Sequence, residues 1–255
     1  MLVLVGEIWS RNIGKGNRPA DSGNAEKMLN KQIVKMKNND KSLIKNSLLY
    51  QKAKLLEKYA INMPNKVDNF GIQLDNPEYG WIDFHIIIND EEKELINFSE
   101  VYEPFEDIRE WLENIVIHIF DFTPCGVNIY DEFYNYILYY EPIVFQTDEL
   151  LASPQLYGIF YVYDGHEDKI VADALCETRE FVRNFYQTIK HYAQESLKNK
   201  SFVEDWIEGA YNNEWGEMDD GDPRIQEIFM NKVLSEKIES FLSNDQSTTR
   251  FVCIK

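Results

Sequence analysis

The sequence predicts an α+β protein: an antiparallel sheet built from hairpins, with a central helix packed across it and further helices at the N-terminal and C-terminal ends. Two observations support this fold class. Between Trp81 and Tyr140, two pairs of β-rich runs flank a strongly patterned helical run, which gives the order ββαββ. Outside this segment, several runs of apolar residues recur at the three- and four-residue spacing of amphipathic helices.

The central helix is predicted to begin at Pro104, because proline suits the first helical position, where its missing N–H has no intrahelical partner. Apolar residues then recur on one face, which must be buried: Phe105, Ile108, Trp111, Leu112, Ile115 and Ile119. The opposite face carries four acids and one base: Glu106, Asp107, Glu110, Glu113 and Arg109. We therefore expect a negative face towards water, with Glu106, Glu110 and Glu113 as partner-binding residues.

Three hairpins are predicted in the middle of the chain. Each joins two runs that are rich in β-branched and aromatic residues across a polar turn. The predicted pairs are 81–88 with 95–98, 126–130 with 134–140, and 156–163 with 170–175. We expect Pro142 to end the last strand of the second hairpin, because proline cannot donate a hydrogen bond to a ladder.

The N-terminal part has a different pattern. Residues 2–5 read as a short strand, and residues 10–24 are rich in Gly, Asn, Ser and Arg, which indicates a loop. From 25 to 61 the apolar spacing is helical, with a polar break at 38–40, so two helices are expected.

The C-terminal part is also predicted to be helical. Thr178 is a candidate cap for a helix with an apolar stripe, and residues 201–204 form a capping box for another. The pair Asp222 and Pro223 should start one last helix, by the preference for aspartate at the cap and proline after it. Residues 251–254 are a candidate edge strand.

Charge divides the chain into a basic helical segment, residues 1–70, and an acidic α+β body, residues 71–255. The first carries 13 Lys and Arg against 6 Asp and Glu, a balance of +7, and the second carries 13 against 38, a balance of −25. These give the formal net charge of −18 at pH 7. A body of this charge repels phosphate backbones and attracts basic proteins.

The cysteines and the apolar runs indicate the cellular compartment in which the protein acts. Cys125, Cys176 and Cys253 have no paired spacing, so neither a zinc site nor a disulfide framework is indicated. No apolar run approaches the ~18 to 20 residues that span a bilayer, and no basic region precedes the first apolar residues. We expect a cytoplasmic protein that does not act in a membrane.

Three loops carry residue types that bind ions, and in each a plain loop is the favoured interpretation. Residues 14–16 form Gly-x-Gly beside basic residues, but they lack the rest of a dinucleotide or P-loop fingerprint. The turn 164–168 holds four possible metal ligands in a spacing that matches no known ligand loop. The acidic loop 214–222 lacks the closing glutamate of an EF-hand. We therefore expect no bound metal and no cofactor.

No catalytic constellation is visible in the sequence. The four histidines show no metalloprotease spacing: His85, His118, His166 and His191. No serine lies in a Gly-x-Ser-x-Gly elbow, and no cysteine has the local signature of a nucleophile. With 44 acids in the chain, close carboxylate pairs arise from composition alone, so no catalytic pair can be chosen.

The run Ser-x-Val-Tyr-x-Pro-Phe-x-Asp-Ile-x-x-Trp-Leu-Glu-x-Ile, residues 99–115, resembles a pattern found in a widespread class of small uncharacterised bacterial proteins. The resemblance covers residues 79–194 and leaves both ends of the chain outside it. Its motif is structural, a proline-started helix with an aromatic stripe, so it implies no catalytic residue. What it implies is a bacterial origin and a non-enzymatic role.

Three functions from different classes remain open. We favour a non-enzymatic acidic interaction protein, such as an immunity or inhibitor protein that covers a basic toxin or nuclease, because the acidic body carries no catalytic motif. The first alternative is an enzyme with an unrecognised carboxylate or metal site. The second is a nucleic-acid-associated protein that acts through the basic stripe of Lys27, Lys31 and Lys35, although the overall charge disfavours a nucleic-acid partner.

Overall fold

The computed structural model describes residues 48–61, 67–119, 121, 123–131, 134–143, 156–199, 202, 206 and 223–243. All of them belong to one compact unit, which spans Ser47–Lys255. Several predicted features lie outside the described residues: the strand 2–5, the loop 10–24, the lysine stripe, the capping box of Ser201 and Glu204, the loop 214–222 and the strand 251–254. Within the described ranges, no helix is both long and apolar enough to cross a membrane.

Five helices and seven strands make up the described unit. The helices are α1 (Leu48–Ile61), α2 (Phe105–His118), α3 (Thr178–Ser196), α4 (Pro223–Val233) and α5 (Glu236–Ser243), and a 3-10 turn covers Glu100–Tyr102. The strands are β1 (Phe70–Leu74), β2 (Trp81–Ile88), β3 (Glu91–Ser99), β4 (Cys125–Tyr130), β5 (Asn135–Ile143), β6 (Tyr157–Asp164) and β7 (Lys169–Glu177). The predicted α+β class is confirmed.

The strands form two antiparallel sheets, with the orders β1-β2-β3 and β4-β5-β6-β7. All three predicted hairpins are present. The first turns more tightly than the polar run 89–94 suggests, because Asn89 and Asp90 both adopt positive φ, 54° and 65°, as a two-residue hairpin turn requires. Consequently β3 already begins at Glu91.

Both sheets share one hydrophobic core with α2, α3 and the C-terminal helices. The predicted apolar face of α2 is buried throughout, and Trp111 at its centre is 2% exposed. The ring of Trp111 meets the ring of Phe181 on α3 edge to face, with 6.0 Å between centroids. Its Nε1 also donates to the backbone oxygen of Cys125 at 3.2 Å. The helix is therefore central to the fold, as predicted.

Helix α1 packs on the other face of the four-stranded sheet. Leu55 and Tyr59 form a second apolar cluster with Ile159, Tyr161 and Leu175, which alternate along the strands with residues of the main core. This helix falls inside the N-terminal segment that we assigned to residues 1–70. In the structure, however, this helix belongs to the compact unit Ser47–Lys255, because its apolar face is covered by the sheet.

Strand β5 continues through Pro142 to Ile143, so the expectation that this proline ends the strand is wrong. Pro142 faces Gly158 of β6 in the ladder. On the other side of β5, the pairing with β4 stops at Tyr140. At Pro142 the edge of β5 that faces β4 is therefore unpaired, so the missing N–H of the proline costs no ladder hydrogen bond on that side.

The cap of α3 also differs from the prediction. Glu177 is the capping residue, since its carboxylate accepts hydrogen bonds from the N–H groups of Arg179 and Glu180. Thr178 is buried in the first turn, where its Oγ1 accepts a hydrogen bond from the hydroxyl of Tyr140 at 2.8 Å. The side chain of Glu177 is long enough to reach the unpaired N–H groups of the first turn, so Thr178 is not needed as the cap and packs in the core.

The predicted last helix starts at Pro223 but is interrupted, and it forms α4 and α5. The break lies at Leu234 and Ser235, which belong to neither helix. Ser235 is the cause, because its Oγ accepts a hydrogen bond from the N–H of Ile238 at 3.2 Å and so caps a new helix.

Candidate functional site

The three acids predicted to bind a partner on α2 do not share one environment. Glu113 is buried, with 8% of its surface exposed, so the expectation that it faces water is wrong. Its carboxylate accepts hydrogen bonds from Ser235 Oγ at 2.7 Å and from Lys237 Nζ at 2.6 Å. The reason is that α5 and its cap cover this part of α2. Glu113 holds the C-terminal helices to the core and is not available to a partner.

Glu106 and Glu110 do face water, with 49% and 59% of their side chains exposed. Arg109 lies between them and donates to both carboxylates, at 3.0 and 3.4 Å. One guanidinium thus offsets part of the charge on this face.

The turn 164–168 uses its acids for local structure. Asp164 is 7% exposed, and its Oδ1 accepts hydrogen bonds from the N–H groups of His166 and Glu167 at 2.8 and 3.1 Å. The hydroxyl of Tyr163 donates to Asp168. An aspartate that bonds to the backbone two and three residues ahead is the usual way to close a turn.

A different group of residues comes together in a cleft with a volume of about 1020 Å³. The cleft lies between the end of β1, the start of β2 and the last turns of α3. Its lining combines acidic and aromatic residues with aliphatic and neutral polar ones, and includes Asp75, Glu78, Trp81, Asp83, Tyr192 and Glu195. A volume of this order is at the upper end of the ~300 to 1,000 Å³ typical of ligand pockets.

Tyr192 joins the two walls of the cleft. Its hydroxyl donates to the backbone oxygen of Asp75 at 2.9 Å, which ties α3 to the segment after β1. Its ring stacks on that of Phe105 in the core, with 6.2 Å between centroids. A hydrogen bond at the hydroxyl of Tyr192 and core packing of its ring therefore both fix this wall of the cleft.

A tight turn at Tyr79 and Gly80 forms another part of the lining. Both residues have positive φ, 55° and 81°, and the backbone groups of Glu78 and Trp81 on either side pair at 2.8 and 3.1 Å. These dihedral angles match a two-residue hairpin turn. The turn leaves Tyr79 94% exposed on a backbone that is fixed by hydrogen bonds.

The cleft has a negative charge. Among the described residues that line it, four are carboxylates, Asp75, Glu78, Asp83 and Glu195, and none is Lys or Arg. A hydrogen bond from Gln73 lowers the pKa of Asp75, so this carboxyl remains ionised. Charges of one sign that line a concave surface add to a focused field, which favours cations.

His85 lies next to this acidic lining, between two carboxylates. Its Nδ1 is 2.7 Å from Glu92 Oε2 and its Nε2 is 3.3 Å from Asp75 Oδ2. Burial by itself lowers the pKa of His85, but the hydrogen bonds to Glu92 and Asp75 and their charges outweigh it and raise the pKa above its usual value. The ligand-type atoms of Asp75, Asp83 and His85 all lie within 4.8 Å of one another.

Sequence reasoning missed this group because its members come from two segments whose pairing is invisible in the sequence. Asp83 and His85 are two residues apart on β2, so strand alternation places them on one face, and this polar alternation within an apolar run was the available signal. Asp75 joins them only because β1 pairs with β2, and its N–H donates to the backbone oxygen of Asp83 at 3.0 Å.

Comparisons with models of protein families, with curated proteins and with solved structures find no match to this chain. The fold and the cleft therefore carry the argument for function.

Proposed function

We propose that this protein is a non-enzymatic interaction protein whose acidic cleft binds a basic segment of a protein partner. The observation that carries the proposal is the lining of the cleft, where four carboxylates stand without a lysine or arginine among the described residues. A cationic side chain that enters the cleft would gain complementary charge, and the loss of its hydration would be offset by hydrogen bonds to carboxylates.

The aromatic residues of the cleft support a protein ligand. Tyr79 is exposed on a fixed turn, and Trp81 and Tyr192 contribute apolar surface beside the carboxylates. Tyr and Trp are enriched among residues that dominate binding energy, because they offer a large contact area and lose little conformational entropy. Rings next to carboxylates also suit arginine, whose guanidinium stacks on aromatic faces while it donates to acids.

The cleft is a better candidate for this surface than the exposed face of α2. On α2, Arg109 pairs with Glu106 and Glu110, and Glu113 is buried under α5. In the described part of the cleft, Glu195 on the rim lies 2.7 Å from Lys198, and Asp75 lies 3.3 Å from Nε2 of His85. Glu106 and Glu110 then contribute to long-range attraction and the cleft makes the contact.

A bacterial immunity or inhibitor protein that covers a basic toxin or nuclease is the biological role we propose for this surface. Such a role needs complementary charge and rapid association, which acidic surfaces provide. It requires no catalytic group. We place it in the cytoplasm, and the burial of the free thiols of Cys125 and Cys176 fits a reducing compartment.

The test is binding of a fluorescent arginine-rich peptide to the full-length protein, measured by anisotropy at low and high salt. Reversing two charges of the cleft, in the variant Glu78→Lys with Glu195→Lys, should weaken binding about tenfold or more at low salt and less at high salt. Both side chains are exposed, so the fold should persist.

The matched control is Glu106→Lys with Glu110→Lys, which changes the net charge by the same amount on α2. It should weaken binding less than about threefold, because only the long-range field changes. Equal losses in the two variants would mean that net charge, and not the cleft, attracts the peptide.

The same pair of variants tests the partner from the host cell. We expect wild type and the variant Glu106→Lys with Glu110→Lys to retain a basic protein. The variant Glu78→Lys with Glu195→Lys should lose it. Retention of nucleic acid that is insensitive to both variants would instead support the nucleic-acid-associated alternative.

A further inference from the structure

We propose that Asp75, Asp83 and His85 form a binding site for one divalent metal ion at the side of the acidic cleft. This inference goes beyond the proposed binding of a basic segment and does not depend on it. The ligand atoms of the three side chains lie within 4.8 Å of one another, and the site combines two carboxylates with one imidazole.

The backbone places these side chains together without a long loop. Asp83 and His85 are two residues apart and therefore lie on the same face of β2. Asp75 follows β1, the strand that pairs with β2. The hydrogen bond of 3.0 Å from the N–H of Asp75 to the oxygen of Asp83 fixes the two segments side by side. Metal bonds of about 2.0 to 2.2 Å require ligand atoms roughly 3 to 4 Å apart, so small rotations of these side chains are sufficient.

Glu92 orients the imidazole for this role. Its Oε2 lies 2.7 Å from Nδ1 of His85, which leaves Nε2 facing Asp75. Histidines that bind metals usually donate their other ring N–H to a carboxylate or a carbonyl, and this second contact fixes the tautomer and the ring orientation. Glu92 is therefore a positioning residue and not a ligand.

An independent observation on the neighbouring strand points to the same place. Asn97 lies directly opposite Asp83 in the pairing of β2 with β3, so the two side chains share one face of the sheet. The Oδ1 atom of Asn97 is buried and has no hydrogen-bond partner among the described residues. A buried amide oxygen without a donor is costly, and a cation beside Asp83 would satisfy it.

The donor set indicates which class of ion is bound. Carboxylate and amide oxygens suit Mg²⁺, Ca²⁺ and Mn²⁺, whereas an imidazole suits later transition metals. Mn²⁺ accepts both kinds of ligand, and the cleft beside Asp75 and Asp83 leaves room for water or a partner's carboxylate in the remaining positions. Mn²⁺ is thus the probe that fits the site.

The experiment is titration of the full-length protein with MnCl₂, followed by calorimetry and by the loss of the free Mn²⁺ signal in electron paramagnetic resonance. We expect one ion per chain. Asp83→Asn and His85→Gln should each weaken binding by about tenfold or more, and Glu92→Gln should weaken it by about 10- to 100-fold through the orientation of His85.

His118→Gln is the matched control, since His118 Nδ1 also lies 2.9 Å from a carboxylate, Asp121, on an exposed surface. It should bind Mn²⁺ like wild type. Circular dichroism and thermal melting of each variant without metal confirm that the fold is intact. Absence of saturable binding to wild type, or equal binding by wild type and by Asp83→Asn and His85→Gln, would overturn the proposal and leave His85 as the centre of an ion-pair cluster only.

Failure of this site and failure of the proposed function give different results. The arginine-rich peptide should still bind in the presence of a chelator, because Glu78 and Glu195 are not ligands of the ion. Peptide binding without Mn²⁺ binding would remove the metal site alone, and Mn²⁺ binding without peptide binding would remove the interaction function alone.

Discussion

The Oγ atom of Ser235 lies 2.7 Å from Oε1 of Glu113, and this contact ties the central helix α2 to the junction of α4 and α5. Ser235 Oγ also accepts a hydrogen bond from the N–H of Ile238, and the N–H of Ser235 donates to the hydroxyl oxygen of Tyr186 at 3.1 Å. Lys237 adds a hydrogen bond of 2.6 Å to the other carboxylate oxygen of Glu113. One buried carboxylate therefore organises the C-terminal helices.

Replacement of Glu113 tests this arrangement. Glu113→Ala should lower the free energy of unfolding by about 1.5 to 3 kcal/mol, because hydrogen bonds to a charged group are lost and Ser235 Oγ keeps no acceptor for its proton. Glu110→Ala, on the exposed side of the same helix, should change it by less than about 0.5 kcal/mol. Urea denaturation measures both, and similar values for the two variants would contradict the burial of Glu113.

Acidification should remove the same stabilisation. Burial by itself raises the pKa of Glu113, but the hydrogen bonds from Lys237 and Ser235 and the charges of Lys237 and Arg109 outweigh it and leave the pKa below the ordinary value of 4.5. Because the folded-state pKa is the lower one, this contribution is complete above pH 4.5 and is lost as the pH falls through the folded-state pKa.

The measurement compares wild type with Glu113→Gln by urea denaturation at about pH 7 and at about pH 3.5. The difference in the free energy of unfolding should shrink at the lower pH, because the carboxyl of the unfolded chain binds a proton there and the unfolded state is favoured. A difference that stays constant between the two conditions would show that the charge of Glu113 contributes nothing.

Trp111 should be among the most sensitive positions of the core. Trp111→Ala removes a 2% exposed side chain that contacts α3 and bonds to the start of β4, so we expect a loss of about 3 to 5 kcal/mol of unfolding free energy. Ile117→Ala on the same helix is the control, because Ile117 is 52% exposed. A loss below about 0.5 kcal/mol at Trp111 would place this residue outside the core.

The pair of Glu103 and Lys232 should respond in a different way. Lys232 Nζ lies 2.9 Å from Glu103 Oε2, yet burial raises the pKa of Glu103, so desolvation outweighs the attraction. Lys232→Met alone should cost about 3 kcal/mol, because it leaves a buried carboxylate without its counter-charge. Addition of Glu103→Gln should recover most of that loss, and a double variant less stable than the single one would contradict this account.

The fold was more accessible to sequence reasoning than the site. The buried stripe around Trp111 and the three hairpins follow from periodicity, which is a local property of the chain. Strand β1 was not predicted, because its five residues become a strand only through pairing with β2. The burial of Glu113 was equally hidden, since the sequence shows that it lies opposite the apolar stripe but not that α5 covers it.

The cleft depends on the same kind of long-range information. Asp75, Asp83 and Glu195 are ordinary acids in an acidic sequence, and only the packing of α3 beside β1 gathers them. The exposed acids of α2, by contrast, were visible in the sequence, but their pairing with Arg109 reduces their charge. A charge pattern on one helix therefore shows the sign of the charge on that face, but it does not show which acids lie together in a cleft.

Replacement of Tyr79 should affect binding without affecting the stability of the fold. Its side chain is 94% exposed and stands on a turn whose backbone is fixed by the paired groups of Glu78 and Trp81. Because the side chain touches little of its own protein, Tyr79→Ala should change the free energy of unfolding by less than about 0.5 kcal/mol. As an aromatic anchor beside the carboxylates, it should nevertheless contribute strongly to the binding of a basic segment.

We expect Tyr79→Ala to weaken binding of the arginine-rich peptide by about tenfold or more, as truncation of a dominant interface residue costs about 2 kcal/mol. Tyr102→Ala is the matched control, since Tyr102 is also exposed, at 51%, and does not line the cleft. Anisotropy measurements at one salt concentration compare the two. Equal affinities for wild type, Tyr79→Ala and Tyr102→Ala would show that this turn is a plain surface feature and that the peptide binds through charge alone.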